Sequence, residues 1–437
     1  MLMEPLSQQC IDVLKDNDRG KHTVPSGSVY PHQWLWDSCF AAIGWARIDA
    51  KRAQQEILSL FKGQWDNGML PHMIFNPAGH YKNDRNIWRS WVSSHSPNTV
   101  ATSGITQPPV IAEAISRIGQ QLDKPARQYF YKKCLPHLIK YHQWLYNERN
   151  PHKSGLVLQI HPYETGMDNT PPWMQQLREH SQPWWIAAVR KLHLNGLINA
   201  IRHDRLAPSR QRIENIDALV CWSIIHRLVR KHYDIDKILH RSFFIIEDVA
   251  FNSILVRNNA ILRDIAATAR IKLPKKLLEN MTLSEAALEE LWDESFSVYF
   301  SRDFVTNKLL KEPTIASLMP LYAGTISPER AQKLVRILTN ERAFWLPHPL
   351  PSVPRNSRNF DAQRYWQGPT WINTNWLIID GLKRMGFEQE TAALKSHTVE
   401  MMREVGIWEY YNPSTGEGLG IPNFSWSAAL ALDLLEE

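Results

Sequence analysis

The chain has little that would assign it quickly, and each shortage excludes something. Its four cysteines, Cys10, Cys39, Cys134 and Cys221, stand alone with no C-x-x-C pair, so neither a zinc site nor a disulfide framework is indicated and a reducing compartment fits. The opening residues MLMEPLSQQCIDVLKDNDRG have no basic n-region and no long apolar core, which argues against a secretory signal peptide. No apolar run approaches the roughly 20 residues of a membrane helix. The expected setting is therefore the cytoplasm, and the sequons at Asn280 and Asn423 are chance matches. The net charge is only +6, with small basic pairs such as Lys51-Arg52, Lys132-Lys133 and Lys275-Lys276. Without a basic stripe or a recognised module, no nucleic-acid partner is expected.

Cofactor motifs are missing as well. There is no P-loop and no H-E-x-x-H, and the 17 histidines do not gather at metal-ligand spacing. Gly416-x-Gly418-x-Gly420 follows a polar turn instead of a buried strand, so it is no dinucleotide loop. Ser103-Gly104 lacks the G-x-S-x-G elbow. Neither a metal nor an organic cofactor is expected.

Regular strand–helix alternation is also absent. Leu156–Gln159 and Val298–Ser301 are the only short runs with strand character. Apolar positions recur at helical spacing instead, over Ser38–Ile48, 51–61, 126–147, 184–202, 212–232, 235–257, 328–340, 370–385, 388–404 and 425–436. Pro108-Pro109 suits the start of a further helix, VIAEAISRIGQQL. Ser284 reads as an N-cap before SEAALEELW, with Glu285 in the first turn. Residues 203–211 and 270–282 read as surface connections. With no low-complexity linker, the pattern predicts one all-α domain over 1–437. Helix pairs arranged in a ring would bury their apolar faces and leave a central funnel, on which loops distant in sequence could converge.

What the chain has in excess is tryptophan, 18 residues. Three aromatic-rich stretches wrap polar side chains: HPYETGMDNTPPW around Asp168, YWQGPTWINTNW around Trp366, and WEYYNPSTGEGLGIPNFSW around Glu409. Flat apolar rings beside carboxylates and amides suit a sugar, with its apolar faces and hydroxyl rim. Two remote acids in such settings suggest cleavage of a glycosidic bond. Asp168 is the candidate general acid, with Glu164 its competitor, and a turn or cap role the alternative. Glu409, between Trp408 and Tyr410-Tyr411, is the candidate base, with a glutamate bonded to a tyrosine hydroxyl the alternative; Glu417, in a glycine-rich stretch, is its competitor as base and a candidate lid contact. Asp37 either caps a helix or accepts sugar hydroxyls while Trp36 stacks on the ring. Gln107, Tyr365, Trp366, Gln367, Trp371 and Trp426 complete the candidate sugar-binding set, and Asn375 shares a face with Trp371. A sugar-binding protein without catalysis is one alternative. A sugar epimerase is another; it would need a histidine pair, for which His72, His161 and His348 are available.

In order along the chain, WLWDSCFAAIG, NGMLPHMIF, SGITQPP, HPYETGMDNTPPW, YWQGPTWINTNW and EYYNPSTGEGLGIPNFSW resemble the motifs of family 63 glycoside hydrolases, nearest their bacterial mannosylglycerate and glucosylglycerate hydrolase branch. The resemblance runs from about residue 30 to the C-terminus and is weakest between about 190 and 300. It implies an (α/α)6 barrel and an inverting α-glycosidase acting on a small glycoside, with Asp168 as acid, Glu409 as base and Trp36-Asp37 holding the sugar. One departure falls in NAIRHDRLAPSRQRIENIDALV. Where the family's glycerate-binding arginine and tyrosine fall, this stretch has arginines, Arg202, Arg205, Arg210 and Arg212, none of them singled out by alignment, and no tyrosine. Trp366-Gln367 also replaces the more frequent Trp-Arg.

Overall fold

The computed structural model describes residues 5–77, 82–180, 183–191, 208–242 and 244–436. Twelve of the described helices build a double ring. They alternate outer and inner in chain order: α1 Pro5–Asp16, α2 Leu35–Ile48, α3 Ala50–Leu60, α4 Ile111–Gln120, α5 Lys124–Glu148, α6 Val249–Ala269, α7 Lys275–Leu288, α8 Pro320–Ala323, α9 Pro328–Leu338, α10 Ile372–Arg384, α11 Glu388–Val405 and α12 Ser425–Glu436. The even-numbered helices pack in sequence, α2 on α4, α4 on α6, α6 on α8, α8 on α10, α10 on α12, and α12 back on α2. The ring is therefore closed, as an (α/α)6 barrel requires.

Burial follows position. In α2 every residue from Leu35 to Ala46 is buried, the pattern of a helix surrounded by others. In the outer α9 only Ala331, Leu334, Val335 and Leu338 are buried, one stripe facing inward.

The inner helices meet in a charged plug. Asp433 of α12 pairs with Arg47 of α2 at 2.8 Å and lies 3.6 Å from Arg117 of α4. It also accepts the Trp376 indole N–H of α10 at 2.9 Å. Arg117 reaches Glu113 at 2.8 Å and Asp380 of α10 at 2.6 Å. Tyr322 of α8 donates to Glu113 at 3.2 Å, and Arg257 of α6 lies 3.6 Å from it. All six inner helices thus contribute, and each buried charge has a partner of opposite sign. The N-terminal ends of the same helices face the other way.

Over those ends lies a second hydrophobic cluster. Helices Pro171–His180, Trp184–Lys191, Asn215–Arg230 and Ile235–His240, inserted between α5 and α6, form a cap with helix Lys82–Trp88. Its core includes Phe75, Trp88, Trp173, Ile224, Leu228 and Phe244.

Several expectations need correction. The run 235–257 is two helices, because residues between them are extended: Ile246 pairs with Gln159, and Asp248 caps α6 by accepting the Phe251 N–H at 2.8 Å. Ser284 is no N-cap. It is buried inside α7, where its hydroxyl donates to the Gly155 carbonyl at 2.6 Å, and α7 begins within the expected connection 270–282. Helix α1 was not foreseen. Leu156–Gln159 makes only the single bridge at Gln159, and Val298–Tyr299 pairs with Trp292–Asp293. Residues 192–202 of the expected helix and 203–207 of the expected connection lie outside the described residues. The four cysteines are buried thiols, none of them in a disulfide, and no described helix is long and apolar enough to cross a membrane.

Candidate active site

A cavity of about 410 Å³ lies between the barrel's N-terminal ends and the cap. Six tryptophans line it: Trp34, Trp36, Trp88, Trp222, Trp366 and Trp426. Of the residues proposed from sequence, Trp36, Asp37, Gln107, Asp168, Tyr365, Trp366, Glu409 and Trp426 come together on its wall. They arrive from separated stretches of chain.

Asp168 is partly open to the cavity. Burial pushes its carboxyl up to about 7, opposed by a hydrogen bond from the Tyr365 hydroxyl, so near neutral pH a large share keeps its proton. The turn before it depends on Gly166, whose φ is +73° and whose Cβ would lie 2.4 Å from the Trp36 ring. Asn169, the next residue, receives the Trp366 backbone N–H at 3.0 Å, and its carbonyl receives the Gln367 amide at 2.8 Å. The acid loop and the tryptophan loop are thereby fixed together.

Asp37 is not a cap. It lies in the first turn of α2, and the N-cap position is Trp34, with no side-chain cap. Burial raises its carboxyl to about 8, and the charge of Asp168 adds to the shift. Near neutral pH most of Asp37 therefore keeps its proton. As a protonated group it can donate one hydrogen bond and accept others, which suits vicinal sugar hydroxyls.

Glu409 sits on the strand Trp408–Tyr411, paired antiparallel with Gly418–Pro422. It is 3% exposed. Its oxygens accept the Tyr30 hydroxyl at 3.3 Å and the Ile421 N–H at 3.2 Å. Gly420 leaves room for it: at φ +73°, a Cβ there would meet Glu409 Oε2 at 2.5 Å. The glycine-rich stretch is therefore a strand fitted against the acid, not a lid, and Glu417 is exposed at its turn, away from the cavity.

Two further expectations place residues behind the wall. Trp371 stacks on Trp366 with ring centres 3.8 Å apart and planes parallel within 1°; it braces the cavity-lining ring and does not reach the cavity. Gln367 is engaged by Asn169. Asn375 is structural too: its amide donates to the Pro349 carbonyl at 2.7 Å and to Thr398 at 3.0 Å. Glu164 is fully buried in a two-pronged pair with Arg149, at 2.9 and 2.8 Å, and accepts the Ile160 and Thr106 N–H groups. It is a structural acid outside the cavity lining.

The three histidines proposed from sequence, His72, His161 and His348, do not form a proton-transfer pair. His161 is buried with both ring nitrogens engaged, by the Cys221 carbonyl and the Tyr163 N–H, and burial depresses it to about 4. His348 is not on the wall. His72 is, but burial holds it well below the usual range.

Sequence reading missed Tyr30, His32 and Trp34. With Pro31, Trp36 and Asp37 they line the cavity from one segment, while Gln33 points inward to Ser59, at 2.6 Å, and Ser38. The crowding of aromatic and polar side chains over 30–37 was the available signal. Arg212 was one of four undecided arginines. It lines the cavity at 7% exposure, whereas Arg210 is exposed beside Asp361 and Arg202 and Arg205 lie outside the described residues.

Tyr365 holds a left-handed backbone, φ 40°, strained for a bulky residue; its carbonyl is held by the Trp371 indole N–H at 3.2 Å. Because its hydroxyl favours the ionised form of Asp168, Tyr365→Phe is expected to raise the acid's pKa. The alkaline limb of kcat/KM, measured across pH, then moves upward; a downward move would contradict the assignment.

A closed ring of paired helices, with a tryptophan-framed cavity holding a carboxyl raised by burial and a second acid at its N-terminal end, defines an (α/α)6 glycoside hydrolase. The model of the mannosylglycerate hydrolase MGH1-like glycoside hydrolase domain matches residues 30–427, and the chain belongs to that family. It is 38% identical over 435 residues to the mannosylglycerate hydrolase of Thermus thermophilus, covering 97% of this chain and 99% of that one. It is 29% identical to the glucosylglycerate hydrolase of Mycolicibacterium hassiacum, covering 98% and 97%. A crystal structure of a family 63 mannosylglycerate hydrolase from Thermus thermophilus, in complex with Tris and D-glycerate, superposes with a TM-score of 0.88 at 36% identity, over 99% of this chain and 100% of that one.

Proposed function

We propose that the chain hydrolyses a glycosylglycerate, an α-linked hexose on glycerate, with inversion at the anomeric carbon. Trp36, Trp366 and Trp426 frame the sugar, and Asp37 and Gln107 meet its hydroxyls. Asp168 delivers its proton to the glycosidic oxygen. Glu409 takes a proton from water as that water attacks the opposite face of the anomeric carbon. The observation that carries the reading is the carboxyl raised to about 7 in a cavity that also holds Glu409. Arg212, a buried cation on the same wall, suits the carboxylate of a glycerate leaving group. The relatives' substrates, mannosylglycerate and glucosylglycerate, support the same class. Four buried cysteines outside any disulfide fit a reducing, cytoplasmic setting.

Proton NMR during hydrolysis of α-glucosylglycerate and α-mannosylglycerate tests this. The β-anomer is expected as the first free sugar. The α-anomer first, or no release from either compound, would overturn it.

A further inference from the structure

Among the described residues Asp84 is the fourth carboxylate on the cavity wall, after Asp37, Asp168 and Glu409, and the steps above leave it without a role. It sits on the cap helix Lys82–Trp88, whose Ile87 and Trp88 also line the cavity. That helix packs on Asn215–Arg230, which adds Leu219, Trp222 and Ile225 to the same roof. An acid amid such apolar neighbours is costly unless it is bonded.

His32 supplies one bond. Its Nε2 lies 3.0 Å from the Asp84 carboxylate. Its Nδ1 accepts the Asn76 backbone N–H at 3.1 Å, so the ring proton sits on Nε2 and is donated to Asp84. His32 is itself buried, edge-on to Phe75 with ring centres 5.1 Å apart. The dyad is thus a fixed acceptor where the cap helix meets the barrel segment that carries Trp34 and Trp36. A carboxylate of this kind accepts hydroxyl hydrogens and repels anions, whereas Arg212 does the reverse.

We propose that Asp84, held by His32, accepts the free hydroxyl of the leaving group, so that the enzyme selects a leaving acid carrying both a carboxylate and a hydroxyl. The inference rests on the glycosylglycerate reading and adds the group that recognises the hydroxyl. The test compares α-glycosylglycerate with the α-glycoside of lactate, which keeps the carboxylate and lacks the hydroxyl. The wild-type enzyme is expected to favour the glycerate compound in kcat/KM by at least about tenfold, as a site built to bond a hydroxyl rejects the analogue without one. Asp84→Ala should bring the glycerate compound down to the lactate rate and leave the lactate rate within about twofold. Asp84→Asn, which preserves shape, should fall in the same direction with an unchanged melting temperature, and His32→Gln should fall part-way. Equal wild-type rates on the two compounds, or equal losses on both in Asp84→Asn, would overturn the proposal. Failure of the wild-type enzyme to cleave either compound would instead overturn the substrate reading.

Discussion

Asp168→Asn is expected to lower kcat on a natural glycoside by on the order of 10²–10⁴-fold, the usual worth of a positioned general acid. On an α-glycosyl fluoride, whose leaving group departs without a full proton transfer, the loss should be much smaller. Glu409→Gln should lose activity on both compounds, because water still needs its base. This crossed pattern in kcat separates the two acids; equal losses for Asp168→Asn on both substrates would remove it from the acid's role. Stability should move the other way. The folded pKa of Asp168 lies near 7, above its unfolded value of 3.8, so wild-type stability falls as pH rises through that window and the cost is complete above it. The amide carries no such cost, so Asp168→Asn should melt no lower than wild type at pH 8, as calorimetry can check.

Glu164→Ala is expected to do the opposite, damaging the fold instead of the chemistry. Removing the carboxylate strands the Arg149 guanidinium, which is 3% exposed and stacked over Trp144. It also leaves the Ile160 and Thr106 N–H groups without their acceptor. Breaking a buried pair from one side costs about 3–5 kcal/mol. For a chain of 437 residues that corresponds to a fall in melting temperature of roughly 3–5 °C. Folded protein well below the transition should keep its kcat/KM pH profile. A changed alkaline limb without a thermal shift would restore Glu164 as a rival acid.

The barrel was legible because its helices carry their own periodicity. Bounds such as 388–404 and 425–436 lie within a residue or so of α11 and α12. Errors arose where tertiary contacts override local pattern. The apolar run 235–257 has no sequence break strong enough to betray the extended residues before Asp248, which are held by pairing with Gln159 nearly ninety positions away. Ser284 resembles a cap because a serine before glutamate usually is one; its actual partners, Gly155 and Tyr146, come from other elements. In the site, short aromatic motifs pointed to the right stretches but could not tell which ring faces the cavity and which stands behind it. Trp366 and Trp371 are neighbours in one motif, yet one lines the wall and the other only supports it. The charged plug was not visible at all, since Arg47, Glu113, Arg117, Asp380 and Asp433 look like ordinary helix charges until the ring closes.

On the proposed reading, the two ends of the scissile bond are served by different parts of the chain. Residues framing the sugar project from loops of the barrel, whereas much of the roof over the departing half comes from the insertion spanning 171–242. That insertion is also tied to the hairpin of Glu409, since Gln211 accepts the Tyr410 hydroxyl and the Gly420 N–H; an exchanged insertion that keeps those two bonds would present a new surface to whatever the sugar is attached to. A lineage built this way can diversify what it releases without reinventing how it cuts.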